Sequence, residues 1–122
     1  MARRRDSYFN PQVYQDYNSL QKIVVNTLAY MISKTKGSMI TFNAKKIAVN
    51  AGLPTHPVLL TLIKDVLEQL RAHGFISRFS RSSHGVKYAI TKESAFWRLS
   101  KEGVEMDSLD AILVIARNYA KQ

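Results

Sequence analysis

The chain has 122 residues and a mass of 13.9 kDa, which is the size of one domain and enough to bury a core without disulfide bonds. It contains no cysteine, which excludes a disulfide framework, thiolate metal ligands and a cysteine nucleophile. Lysine and arginine outnumber aspartate and glutamate by 18 to 9, and the resulting net charge of +9 favours a polyanionic partner.

The basic residues are concentrated in the first three quarters of the chain. Residues 1–92 hold 14 basic and 4 acidic residues, whereas residues 93–122 hold 4 and 5. This asymmetry predicts a basic binding module followed by a neutral association element. The longest apolar run, residues 111–116, is far below the roughly 20 residues of a membrane span, and no signal peptide is predicted. We therefore expect no membrane partner.

The first predicted elements are a helix and a short strand. Apolar residues recur at steps of three and four from Pro11, with Asn10 as the N-cap and Gly37 beyond the last turn. A break near residues 18–19 is an alternative that divides this stretch into two helices. Residues 39–42 then predict a short strand.

Two further helices follow. Asn43 is predicted to cap the second, and Gly52 to end it. The third begins within residues 55–57 and ends before Gly74. Its predicted core positions are Leu59, Leu62, Ile63, Val66 and Leu70.

The remainder of the chain predicts a hairpin and two more helices. The strands are residues 75–81 and 86–91, joined by a polar tip at 82–85. The helices are residues 93–101 and 107–120. In the first of these, Phe96, Trp97 and Leu99 are predicted to fill the core.

This order of elements, over about residues 19–91, resembles the winged helix-turn-helix superfamily of small regulators and chromatin proteins. Ala48 stands where that family packs a small residue between two crossing helices, and Gly52 stands in the turn. A turn of the standard length would bury Thr61, so we expect a turn one residue longer, which buries Leu59 and Leu62 instead.

The resemblance implies a mainly α fold with a small β-hairpin, of class α+β, with an extended N-terminal helix and additional C-terminal helices. We expect a basic N-terminal arm over residues 1–10, a winged helix-turn-helix domain over 11–92 and a helical association element over 93–122.

The resemblance also implies contact with double-stranded DNA through the arm, the second helix, the third helix and the hairpin. Leu60 and Thr61 would contact thymine methyl groups, but the N-terminal exposed face of the third helix offers no Arg, Asn or Gln for reading a base. A protein that binds DNA in this way is expected to be cytoplasmic and nucleoid-associated. Solvent-exposed charge is the alternative interpretation for each surface. The predicted DNA-binding residues are Arg3, Arg4, Arg5, Lys45, Lys46, His56, Thr61, Lys64, Arg78, Arg81, Ser82, His84 and Lys87.

The helix over residues 107–120 is apolar on two faces, so one face remains for a partner after the other docks on the domain. We expect a homodimer, with burial of both faces in one monomer as the alternative. The predicted interface residues are Leu109, Ile112, Leu113, Ile115 and Tyr119.

No catalytic pattern is found. The three histidines lack metal-ligand spacing, and Asp65 and Glu68 are interpreted as solvated charges. We expect no enzyme, cofactor, metal or small-molecule ligand. The expected function is weakly specific binding of double-stranded DNA by a transcriptional regulator or a chromatin or architectural protein. A ribosome-associated or RNA-binding protein, or a winged helix used for protein–protein contact, remains as an alternative.

Overall fold

The computed structural model of the protein describes residues 17–83 and 85–104. Over these ranges the predicted α+β class is confirmed, with four helices and one three-stranded antiparallel sheet. The elements are α1 (Tyr17–Lys34), β1 (Met39–Phe42), α2 (Ala44–Ala51), α3 (Pro57–Ala72), β2 (Ser77–Ser82), β3 (Gly85–Thr91) and α4 (Ala95–Lys101). Three predictions lie outside the described residues: the helix start at Asn10 and Pro11, the basic arm over residues 1–10, and the helix over 107–120.

Helix α2 begins and ends as the sequence predicts. The Asn43 side chain accepts a hydrogen bond from the backbone N–H of Lys46 at 2.8 Å, which satisfies one free donor of the first turn. Gly52 has a φ of 74°, a left-handed conformation that costs little only in glycine. Ala48 is fully buried, as expected for the small residue where α2 meets its neighbours.

The prediction of a longer turn between α2 and α3 agrees with the structure at two of its three positions, because Leu59 is buried and Thr61 is exposed. The predicted core face of α3 is wrong at one position. Leu62 is only half-buried, and Leu67 is fully buried in its place. Positions 59, 63, 66, 67 and 70 form one helical face at the i, i+4, i+7 and i+8 spacing, from which Leu62 is displaced.

The sheet has β3 at its centre, with β1 and β2 paired antiparallel to it on either side. Phe42 pairs with Tyr88 across β1 and β3, and their rings stack with centroids 6.1 Å apart. Strand β2 is the other edge, and every residue in it is exposed. It starts at Ser77 rather than at the predicted residue 75. Phe75 and Ile76 precede the strand and are buried in the core.

Helix α4 packs into the same core as the first three helices. Phe96 and Leu99 are buried against α1, and Trp97 is 5% exposed, so their predicted role in the core is confirmed. Ser94 caps α4, and its hydroxyl donates to the carbonyl of Phe75 at 2.8 Å. In the described part of the chain, no helix is long and apolar enough to cross a membrane.

Candidate nucleic-acid interface

An open cleft of about 460 Å³ lies between α3, the first turn of α2 and the first half of β3. Three of the predicted DNA-binding residues, Lys45, Thr61 and Lys64, line it together. Lys45 lies in the first turn of α2, which Asn43 caps, and Asn43 lines the cleft beside it. The remaining lining residues are Asn43, Ala44, Leu60, Gly85, Val86 and Tyr88. Among the described residues of the lining, two are cations and none is a carboxylate.

Lys46 lies apart from its neighbour Lys45. Its ammonium donates to the carbonyl of Thr41 at 3.2 Å and lines a second cleft, of about 450 Å³, between the end of α1, β1 and α2. Consecutive residues on a helix point about 100° apart, so two adjacent lysines reach different surfaces. The structure therefore separates a pair that the sequence analysis had placed on one surface.

Arg78 is held by a carboxylate of the protein itself. Its guanidinium donates to both carboxylate oxygens of Glu68, at 2.9 and 3.3 Å. Arg71 donates to the same carboxylate at 2.9 Å, and the hydroxyl of Tyr88 donates to it through a short hydrogen bond. The interpretation of Glu68 as a solvated charge is therefore wrong. Glu68 joins α3 to both strands of the hairpin, and the charge of Arg78 is balanced by it.

This cluster shifts the ionisation of its members. The hydrogen bond from Arg78 lowers the pKa of Glu68 to about 2, with Tyr88 and Arg71 adding to the shift against the opposing effect of burial. Burial raises the pKa of the Tyr88 hydroxyl, and its hydrogen bond to Glu68 raises it further. Glu68 therefore stays a carboxylate at every pH at which the protein would ordinarily be handled.

The second carboxylate of α3 also faces the protein. Tyr17 on α1 donates its hydroxyl to Asp65 at 2.8 Å. Burial and this bond raise the pKa of the Tyr17 hydroxyl, so the phenol remains protonated. The two acidic residues that follow Lys64 are thus directed to α1 and to the base of the hairpin.

A β-bulge decides which side chains of the hairpin face α3. Arg78 pairs with Tyr88 and Arg81 pairs with Val86, so three steps along β2 match two steps along β3. Residues paired across two strands share a face, and Val86 lines the cleft. Arg81 therefore lies on the cleft side of the hairpin. Lys87 falls between Val86 and Tyr88 and lies on the opposite face.

Two other predicted site residues, His56 and Ser82, are not among the residues that line the cleft beside α3. His56 occupies the N-cap position of α3 and is half-buried, and Ser82 is exposed at the end of β2. Arg3, Arg4, Arg5 and His84 lie outside the described residues, as do the predicted dimer contacts from Leu109 to Tyr119. These assignments, and the homodimer with them, stay predictions. Within the described ranges, no group of three His, Asp or Glu side chains is placed to hold a metal ion.

The pKa of Glu68 predicts an acid-dependent loss of stability. Because its pKa falls from 4.5 to about 2 on folding, its contribution to the free energy of unfolding is complete above about pH 4.5 and disappears as the pH falls through about 2. In Glu68→Gln this part of the pH dependence is expected to be absent. Denaturant unfolding at several pH values between 5 and 2 measures it.

The control for this experiment is Glu93→Gln, since Glu93 is an exposed carboxylate that makes none of these contacts. It should reproduce the wild-type slope. Equal slopes for wild type and Glu68→Gln would show that the cluster does not hold in solution.

Comparison of the chain with known protein families, with curated proteins and with solved structures gives no match.

One local pattern in the sequence indicates part of the cluster around Glu68, namely the i,i+3 spacing of Glu68 and Arg71. The contributions of Arg78 and Tyr88 come from a different part of the fold and have no local pattern.

Proposed function

We propose that this chain is a winged helix-turn-helix protein that binds double-stranded DNA. Helix α3 would lie in the major groove, while the first turn of α2 and the β2–β3 hairpin contact the phosphate backbone on either side. The observation that carries the proposal is the cleft beside α3. Lys45 and Lys64 come to it from two helices, and its lining has no acidic side chain.

The arrangement of the helices supports the same proposal. Ala48 is buried and Gly52 adopts the left-handed turn, as a helix-turn-helix needs at these two positions. Helix α3 then exposes Thr61 and Lys64, and the hairpin follows it directly. The cluster around Glu68 holds the base of the hairpin against α3, so the two proposed contact elements have a fixed relation.

The chemistry of the surface favours weakly specific binding. Among the described residues of the N-terminal half of α3, residues 57–64, Lys64 is the one cation, and no Arg, Asn or Gln is present for bidentate contact with a base. Arg71, in the last turn, donates instead to Glu68. Phosphate neutralisation then supplies most of the affinity. A regulator of low specificity or an architectural protein of the chromosome is the role that fits this balance.

The two faces of the hairpin provide a test with a matched control. Each neutralised phosphate contributes about 0.9 to the slope of log affinity against log salt concentration. Arg81→Ala is expected to reduce this slope by about 0.9 for every duplex sequence, because Arg81 faces the cleft. Lys87→Ala, which removes a cation from the opposite face, is expected to leave the slope nearly unchanged. Fluorescence anisotropy with random duplexes at several salt concentrations gives both values.

Two results would contradict the proposal in different ways. Binding of single-stranded or double-stranded RNA in preference to duplex DNA would favour the RNA alternative. A steep slope that neither Arg81→Ala nor Lys45→Ala alters would mean that phosphate contacts lie elsewhere on the chain.

A further inference from the structure

The two edges of the sheet differ in how they are protected against a further strand. Strand β2 carries two arginines and a β-bulge, and both features discourage pairing at an edge. Strand β1 has neither, because its sequence Met-Ile-Thr-Phe is uncharged and its register with β3 is continuous. Within the described ranges, no strand pairs with the outer side of β1. This edge is therefore the one that suits the addition of a strand.

The backbone groups of two residues in β1 point away from the sheet. The carbonyl of Ser38 accepts a hydrogen bond from the N–H of Lys92 at 3.1 Å, so Ser38 faces β3. Backbone groups alternate in direction along an antiparallel strand, so the N–H and C=O groups of Met39 and Thr41 point outward. Lys46 agrees with this direction, since its ammonium comes from α2 and donates to the Thr41 carbonyl at 3.2 Å.

The second cleft, between the end of α1, β1 and α2, lies beside this edge. Lys34 and Lys46 are in its lining, and none of the described lining residues is a carboxylate. Tyr30 and Met39 also line it and are 59% and 43% exposed, so apolar surface adjoins the two cations. The ammonium of Lys34 lies 5.4 Å from the centre of the Tyr30 ring. Backbone hydrogen-bonding groups, apolar side chains and positive charge thus meet along one strand edge.

We infer that β1 binds an extended, acidic segment of a partner protein, which adds a fourth strand to the sheet. Hydrogen bonds between the two backbones hold the segment at Met39 and Thr41. Its carboxylates meet the ammonium groups of Lys34 and Lys46, and its apolar side chains pack on Tyr30 and Met39. This cleft and the cleft beside α3 share no described lining residue, so the inference does not rest on the proposed function.

The charge of the chain favours this occupant over two others. A second copy carries a net charge of +9 and is repelled. A DNA duplex has the required negative charge, but it has no peptide backbone to pair with a strand and no side chains to cover Tyr30 and Met39. An acidic protein segment in the extended conformation has all three properties.

Lys46 makes the edge selective for acidic segments. Its ammonium occupies the outward carbonyl of Thr41, so a neutral strand has to displace it without compensation. A carboxylate offers the ammonium a stronger hydrogen bond than a neutral carbonyl does. An acidic segment therefore gains an interaction at the point where a neutral segment loses one.

Short peptides blocked at both ends test the inference. A labelled peptide of alternating glutamate and valine is compared with its glutamine counterpart and with its N-methylated form, which keeps the carboxylates but has no backbone donor. In fluorescence anisotropy with the full chain, the glutamate peptide is expected to bind about tenfold more tightly than the glutamine peptide. The N-methylated peptide is expected not to bind.

Variants assign the preference for the acidic peptide to the cleft. Lys34→Ala and Lys46→Ala should each narrow the difference between the glutamate and glutamine peptides. Lys22→Ala is the matched control, since Lys22 is an exposed lysine of α1 that does not line the cleft. It should keep the full difference.

Amide hydrogen exchange and a proline variant locate the peptide at the strand edge. Saturating glutamate peptide is expected to slow exchange at Met39 and Thr41 by on the order of tenfold, with little change at Ile40, which faces β3. Met39→Pro removes one outward N–H, and proline is tolerated at the first residue of an edge strand. It should bind the peptide about fivefold more weakly than Met39→Ala, which keeps the N–H.

Three results would overturn the inference and leave the proposed DNA binding untouched. Equal affinity for the glutamate peptide and its N-methylated form would exclude pairing at the strand edge. Slow exchange at Met39 and Thr41 without any peptide would mean that this chain covers the edge itself, through a second copy if the protection rises with protein concentration. A loss of duplex affinity in Lys34→Ala as large as that in Lys45→Ala would assign the second cleft to DNA.

Discussion

Lys64→Glu is expected to lower the affinity for duplex DNA by on the order of 100-fold at low salt. The substitution removes a phosphate contact and places a negative charge in a cleft whose lining has no other carboxylate, opposite a polyanion. Lys64 is exposed, so the fold should remain, with a change in the free energy of unfolding within about 0.5 kcal/mol. Anisotropy titrations and denaturant unfolding measure the two quantities.

Lys22→Glu is the control for the change in net charge. Lys22 is likewise an exposed lysine on a helix, but it lies on α1 and does not line the cleft. It should weaken binding only slightly, through the long-range field. If the folded Lys64→Glu protein bound duplexes as well as Lys22→Glu, α3 would not be the element that faces DNA.

Phe96→Ala is expected to lower the free energy of unfolding by about 3–5 kcal/mol, the range typical of removing a fully buried phenylalanine. Phe96 belongs to α4, in the segment that the sequence analysis assigned to association, yet it contacts the ring of Phe75 edge-on within the common core. Denaturant unfolding monitored by the fluorescence of Trp97 would follow the loss.

Phe79→Ala provides the comparison, because Phe79 is the same residue type but 55% exposed at the bulge of β2. Its cost should stay below about 0.5 kcal/mol, as for other surface substitutions. A similarly small effect of Phe96→Ala would mean that α4 can leave the core without unfolding the rest of the domain.

Much of the fold was predictable from local patterns. The positions of Asn43 and Gly52 define α2 through interactions between residues close in sequence, and the spacing of apolar residues defines α3. The exception on α3 is Leu67 in place of Leu62, and at about 100° per residue these two leucines lie at opposite margins of the buried face. Which leucine is buried depends on what α1 and the sheet place against the helix.

The candidate site was predictable in its residue types but less so in its grouping. The sequence indicates that Lys45, Thr61 and Lys64 are available, and the structure places them in one cleft. It gives no local sign that Glu68 would engage Arg78, because that contact depends on the packing of the hairpin on α3. The bond between Arg78 and Glu68 depends on this long-range geometry, whereas the separation of Lys46 from Lys45 follows from the roughly 100° between consecutive helix positions.

Because of the bulge in β2, the number of residues in that strand decides which face each side chain occupies, more than the residue types do. Arg78 and Arg81 share a face because one additional residue, at the position of Phe79 and Ser80, changes the alternation of side chains between them. Loss or gain of a single residue there would turn one of the two arginines to the other side of the hairpin, whatever the residue type. Apart from Arg78, which binds Glu68, the residues of this strand should therefore tolerate substitution without loss of the fold, since they are exposed, whereas single-residue deletions and insertions should not be tolerated.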